Sequence, residues 1–156
     1  MNTDIENNRY WGYDYREDIN LTGPIDENIF YDSVMYDMCA GDSYNFAVRL
    51  AEDGKMIGEA VLWNFTSDGS AELGCRILPE FQGHGYGTAA FTAAADFGVR
   101  TLNVKVTARC HIDNAASYRM ITASGFGPLC KNQNYYYFGQ STGNPCSAHC
   151  CGTLCC

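Results

Sequence analysis

From Ala71 to Leu78 apolar side chains alternate with polar or small ones. The segment Gln82-Gly83-His84-Gly85-Tyr86-Gly87-Thr88 follows, and the alanine-rich run Ala89 to Ala95 comes next. Alternation predicts a strand, the glycines a loop, and the alanines a helix. A strand that breaks into a glycine loop at the head of a helix leaves backbone N–H groups without helical partners. Such amides form a ready anion site. The loop lacks the third glycine of the G-x-G-x-x-G dinucleotide fingerprint, and no Gly-Lys-Ser/Thr ending makes it an ATPase phosphate loop. Taken alone, it can also be read as an ordinary glycine-rich turn.

The chain of 156 residues suits one domain with a core of useful size. Hydrophobic content of 46% and charged content of 18% exclude a disordered class. No apolar run reaches the length of a membrane span, and no basic-then-apolar leader opens the sequence. A cytoplasmic protein with no membrane partner is the expectation. A net charge of -8 argues against nucleic acid as a partner. All of that excess sits in residues 1–42, where ten acids face only Arg9 and Arg16. The block is either a solvated face that aids solubility or a wall that draws in a cationic amine.

The nine cysteines divide into scattered Cys39, Cys75, Cys110 and Cys130 and a terminal crowd at 146, 150, 151, 155 and 156. The scattered set reads as small apolar residues or free thiols. The crowd, with His149, fits no standard zinc spacing. Metal binding, lipidation and disulfides stay open for it. The expectation is a domain over residues 1–140 and an unstructured tail over 141–156.

Thr22-Gly23-Pro24 followed by Asp26 and Glu27 reads as a helix start, and Gly41 as that helix's end. Strands are predicted over Tyr44–Leu50, Met56–Phe65 and Ala71–Leu78, joined by turns at Asp53-Gly54 and Ser67–Ser70. A helix over Thr88–Phe97 stops at Gly98, and a strand at Leu102–Ala108 follows. Strand, helix, strand implies parallel pairing. Asp113-Asn114 opens a further helix through Ala123, closed by Gly125, and Tyr135–Phe138 reads as one more strand. The fold class is α/β with a mixed sheet and helices on its faces.

The spacing Gln82-x-x-Gly85-x-Gly87 resembles the pyrophosphate loop of the GNAT superfamily of acyl-CoA-dependent N-acetyltransferases. Glu72-Leu73-Gly74, Asn114-x-x-Ser117 and Gly125-Phe126 occur in the matching order over residues 9–138. The chain is most similar to the branch holding the ribosomal-protein-alanine N-acetyltransferases. The resemblance implies a single-domain, largely antiparallel mixed sheet flanked by helices. It departs from the family in two places. Only eight residues precede Arg9-Tyr10-Trp11-Gly12, so the usual first strand and helix are expected to be absent and Tyr44–Leu50 to present an open edge. No strand pattern follows Gly143 to pair with Tyr135–Phe138.

What the resemblance implies for chemistry is acetyl transfer from acetyl-CoA, as co-substrate, to a primary amine, with no metal. The acceptor is a protein N-terminus, a polyamine or another small cationic amine, and a homodimer is allowed. Gln82, Gly83, His84, Gly85, Tyr86, Gly87 and Thr88 would cradle the pyrophosphate. Ile77 and Leu78 would pair with the pantetheine arm, and Asn114 would reach the cofactor while capping its helix. Glu72 is the candidate base, with Arg76 on the same strand face as an ion-pair partner. Glu59 is a weaker base. A backbone N–H near Cys75 to Ile77 would polarise the thioester carbonyl. Ile121 occupies the position where many relatives place a tyrosine acid, and Ser117 matches the serine of the ribosomal-protein branch. Tyr118 points to another helix face. Cys75 or Cys110 suggests a covalent route only weakly. A non-catalytic acyl-CoA-binding module, or a fragment of a longer protein, is the alternative reading.

Overall fold

The computed structural model of the protein describes residues 10–11 and 27–140. Helix α1 (Glu27–Ala40) leads into a meander of β1 (Tyr44–Arg49), β2 (Met56–Trp63) and β3 (Ser70–Ile77). A short 3-10 turn at Pro79–Phe81 precedes α2 (Tyr86–Arg100), β4 (Lys105–His111), α3 (Ala115–Ala123), β5 (Phe126–Lys131) and β6 (Tyr135–Gln140). The strands make one six-stranded sheet in the order β1-β2-β3-β4-β6-β5. Only β3 and β4 run parallel; every other adjacent pair is antiparallel. This is the mixed, largely antiparallel sheet that the sequence predicts. The helix start at Thr22–Pro24, the tyrosines at 13 and 15 and the cysteine-rich end lie outside the described residues.

Period-two alternation gives the sheet two distinct faces. On one, Leu62, Ala71, Leu73, Val106, Ala108 and Phe138 pack against Phe91, Ala94 and Ala95 of α2 and Ile121 of α3. Phe91 and Phe138 are fully buried. Burying an aromatic ring of that size contributes roughly 1.5–3 kcal/mol. The alanines of α2 let its axis lie close to the sheet.

Three boundaries differ from expectation. Helix α2 does not end at Gly98 but runs two residues further. A Cβ at Gly98 would meet Val106 Cγ2 at 2.8 Å, so this glycine lets the helix close on β4 rather than ending the helix. Strand β4 begins at Lys105, not Leu102, because Asn103 adopts a positive φ of 55° and Leu102–Val104 become the connection. The strand β5 was not foreseen, since Gly127 and Pro128 interrupt its pattern. Pro128 lies on the outermost described strand, beside an irregularity in register, a position where a sheet tolerates proline. Strand β6 therefore lies between β4 and β5, and nothing beyond residue 140 is needed to pair it. Among the described residues β1 pairs only with β2.

Candidate active site

The parallel pair β3–β4 holds together for only three registers, Ser70↔Lys105, Ala71↔Val106 and Glu72↔Thr107. Past them the strands diverge. Leu78 donates its N–H to Ile57 O at 2.8 Å, toward β2. Alternation then turns the amides of Cys75 and Ile77 the other way, into the gap. The Ile77 carbonyl on that side accepts from Gln82 Nε2 at 2.8 Å. The gap opens into a cleft of about 810 Å³, within the usual size range of small-molecule sites.

The glycine loop forms one end of that cleft. Gly83 and Gly85 take φ values of 80° and 84°, which side chains resist. Gly85 caps α2 without any side-chain hydrogen bond, and the first helical bond runs from Ala89 N–H to Gly85 O. The amides of Tyr86, Gly87 and Thr88 thus have no helical acceptor. Gly87 is glycine for another reason: its Cβ would lie 3.0 Å from Met120 Sδ on α3. Gln82, Gly83, Gly85, Gly87 and Thr88 line the cleft, and Ile77 does so from β3. His84 and Tyr86 stack on each other at 5.9 Å outside the lining, with His84 Nδ1 2.8 Å from Gln82 O. Leu78 is also outside it, with its carbonyl occupied by Phe81 N–H. Asn114 lines the cleft and caps α3 by accepting from Ser117 N–H at 3.0 Å. Ser117 lines the cleft, and among the described residues its hydroxyl has no hydrogen-bond partner.

The other sheet face carries the charge. Arg76 does not pair with Glu72. Its Nε donates to Glu59 Oε1 at 2.8 Å in a buried ion pair, and its guanidinium lies 4.6 Å from the Trp11 ring centroid. Glu59 faces Arg76 directly across the β2–β3 register, which explains the choice. Glu72 pairs instead with Arg109 of β4, Nε to Oε1 at 2.8 Å. Burial pushes the Glu72 carboxyl above the ordinary carboxylate range, against the opposing pulls of Arg109 and Asn64. Arg109 lies over Tyr135 at 5.3 Å. His111 stacks on Tyr10 at 5.4 Å and takes the Asp113 N–H on Nδ1 at 3.2 Å. Trp63 and Trp11 sit 6.3 Å apart above Gly74.

The thiols are poor nucleophiles. Burial and the Glu59 charge push Cys75 up to about 12, and burial pushes Cys110 up to about 11. Cys110 is in the core while its neighbour His111 faces the other side of the sheet. Tyr118 packs against Tyr136 and Phe138, away from the cleft, and Ile121 is buried. Sequence reading missed that Arg109, His111, Trp63 and Tyr135 line the cleft. Val106, Ala108 and Cys110 alternate with Thr107, Arg109 and His111, a signal that marks the second set as the opposite face.

The splayed parallel pair thus leads directly to helix amides that have no helical acceptor. The sequence matches the acetyltransferase (GNAT) domain family over residues 6–127. The chain belongs to that family, and by membership it is an acyl-CoA-dependent N-acetyltransferase. A Bacillus subtilis (strain 168) relative, the uncharacterized N-acetyltransferase YnaD, is 27% identical over 118 residues, covering 72% of this chain and 69% of the relative. The fold is similar to spermidine N-acetyltransferase from Vibrio cholerae in complex with CoA and spermine. The TM-score is 0.73 at 19% identity, over 90% of this chain and 86% of that one. A proposed ribosomal-protein-serine acetyltransferase from Vibrio cholerae gives a TM-score of 0.65 at 20% identity, over 71% of each chain.

Proposed function

We propose that this enzyme, acting in the cytoplasm, moves the acetyl group of acetyl-CoA directly to a small primary amine with Glu72 as base. The observation that carries the reading is the gap between β3 and β4, continuous with the uncapped amides of Tyr86, Gly87 and Thr88. Those amides and the α2 dipole hold the pyrophosphate, with Gln82, Gly83, His84 and Gly85 shaping the loop. Ile77 meets the pantetheine arm along the free strand edge, and Leu78 serves only by fixing that edge to β2. Asn114 holds the start of α3 against the same ligand.

Glu72, raised above the usual carboxylate range, takes a proton from the ammonium directly or through water. The freed nitrogen attacks the thioester carbonyl, whose oxygen is stabilised by the Cys75 or Ile77 N–H. The N–C bond forms, the C–S bond breaks, and the nitrogen's second proton passes by way of the Ser117 hydroxyl to the departing CoA thiolate, leaving the amide and the free thiol. The high thiol pKa values of Cys75 and Cys110 favour this direct route over an acetyl-cysteine intermediate.

The test has two parts. Calorimetric titration with acetyl-CoA should give one site per chain. A panel of amines assayed for free CoA thiol should give turnover that Glu72→Gln abolishes. Binding without turnover on any amine would favour the non-catalytic reading.

A further inference from the structure

Arg109 has a use left over from its pairing with Glu72. The ion pair engages Nε, on the inner side of the guanidinium. The Tyr135 ring lies against its plane at 5.3 Å. Among the described residues, Glu72 is the only ion-pair partner of Arg109. The side chain is 45% exposed and lines the cleft. A guanidinium held through Nε and half exposed to the cleft retains donors for an oxyanion, which a guanidinium can bind in two-point fashion.

The charge around it points the same way. Glu72 is the only carboxylate among the described residues that line the cleft, and Arg109 already neutralises it. Arg76 is matched by Glu59, which leaves Arg119 on α3 as a further cation. Among the described lining residues a second ammonium group finds no unpaired carboxylate, whereas a negative group gains a charge-assisted contact.

We propose that Arg109 selects the acceptor: the enzyme acetylates an amine that carries an oxyanion, carboxylate or phosphate, within a few bonds of the reacting nitrogen. The ammonium end meets Glu72 and the oxyanion end meets Nη1 and Nη2, so one ion pair reads both charges of a zwitterion. This rests on the acetyl-transfer reading above and narrows its acceptor.

The experiment compares primary amines of equal chain length whose second group is a carboxylate, a phosphate, a carboxamide or another ammonium. Rates are compared at equal concentrations of free amine. The carboxylate or phosphate arm should exceed the carboxamide arm by about 10- to 100-fold in kcat/KM, the range for a hydrogen bond to a charged group. The ammonium arm should be poorest. The two oxyanion arms separate an amino-acid-like acceptor from a phosphorylated one. In Arg109→Gln the preference should collapse, through KM on the oxyanion arms, while acetyl-CoA titration is retained. Arg109→Lys should keep part of it, having the charge without the fork. A carboxamide or ammonium arm equal to or ahead of both oxyanion arms in the wild-type enzyme overturns the inference and leaves acetyl transfer standing. Acetyl-CoA binding with no arm acetylated overturns both.

Discussion

Gly74 is the residue whose replacement most directly tests how β3 joins the sheet to the site. A Cβ built on it would lie 2.8 Å from both Cη2 and Cζ3 of Trp63 and 3.3 Å from Cη2 of Trp11. In Gly74→Ala one or both indoles must move. Forcing an extra carbon into a packed region costs about 1–3 kcal/mol. Removing a glycine from a strand interior returns about 0.5–1 kcal/mol. The net expectation is a loss of roughly 0.5–2 kcal/mol, a fall in Tm of about 2–6 °C for a chain of this size. The functional effect should exceed the stability effect. Both indoles line the cleft, and displacing positioning groups by an ångström can cost about 100-fold in rate. The amine kcat/KM should therefore fall at least about tenfold, while the acetyl-CoA Kd stays within about twofold because the glycine loop is a separate element. A double-mutant cycle isolates the cause. Trp63→Phe removes both atoms in the clash, so Gly74→Ala in that background should cost less than about 0.5 kcal/mol, giving a coupling within the range seen for residues in contact. Thermal melts and denaturant titrations of the four proteins measure it. An unchanged cost in both backgrounds, or a higher Tm for Gly74→Ala alone, would refute the steric account.

Other perturbations probe the rest of the site. Because burial raises the Glu72 carboxyl, the acidic limb of the amine kcat/KM profile should lie above the ordinary carboxylate range, with activity lost as pH falls through it. Glu72→Gln should remove that limb along with most turnover, and an unchanged profile would place the base elsewhere. Gly85→Val puts a β-branched residue at a φ of 84° in the pyrophosphate loop and should eliminate measurable acetyl-CoA binding in calorimetry, while the melt shows a folded protein. Asn114→Ala removes the cap on Ser117 N–H and should cost about 1 kcal/mol in a denaturant titration. Gly98→Ala sets a helix-propensity gain of about 1 kcal/mol against contact with Val106 Cγ2 at 2.8 Å, so it should be neutral or destabilising in the wild type and stabilising beside Val106→Ala.

The parts of this fold legible in the sequence were those fixed by short-range chemistry. Alternation marked β1, β2 and β3, Asp-Gly pairs marked the meander's turns, and Asn114 announced α3. What stayed hidden depended on partners far along the chain. Gly98 reads as a stop in isolation and as a contact once Val106 is known to lie beneath it. Strand β5 is broken by Gly127 and Pro128 and exists because β6 pairs with it. Glu72 and Arg76 share a strand face, so pairing them is the local choice. The register instead sets Glu59 opposite Arg76, and β4 sets Arg109 near Glu72. Directly opposed side chains lie closer than same-strand ones, which favours Glu59 for Arg76, while Arg109, two residues past Glu72's register partner Thr107, reaches Glu72 along the diagonal.

Strand β3 explains why both substrates must meet where they do. Its core face sends Ala71, Leu73 and Ile77 into the packing that fixes α2, and hence the amides at the head of that helix. Its opposite face holds Glu72 and Gly74 beneath the two tryptophans. Its edge is freed by the divergence from β4 after three registers. In the proposed binding mode, a thioester laid along that edge would reach the helix amides at one end and the Glu72 carboxylate at the other, through a single element. Catalysis by proximity needs such common mounting, since two reactants carried on separately moving parts would lose the orientation that lowers the barrier. The ion pairs Glu59–Arg76 and Glu72–Arg109 serve the same end. Each ties β3 to a different neighbouring strand, Glu59–Arg76 to β2 and Glu72–Arg109 to β4, so the strand that carries the proposed base is braced on both of its edges.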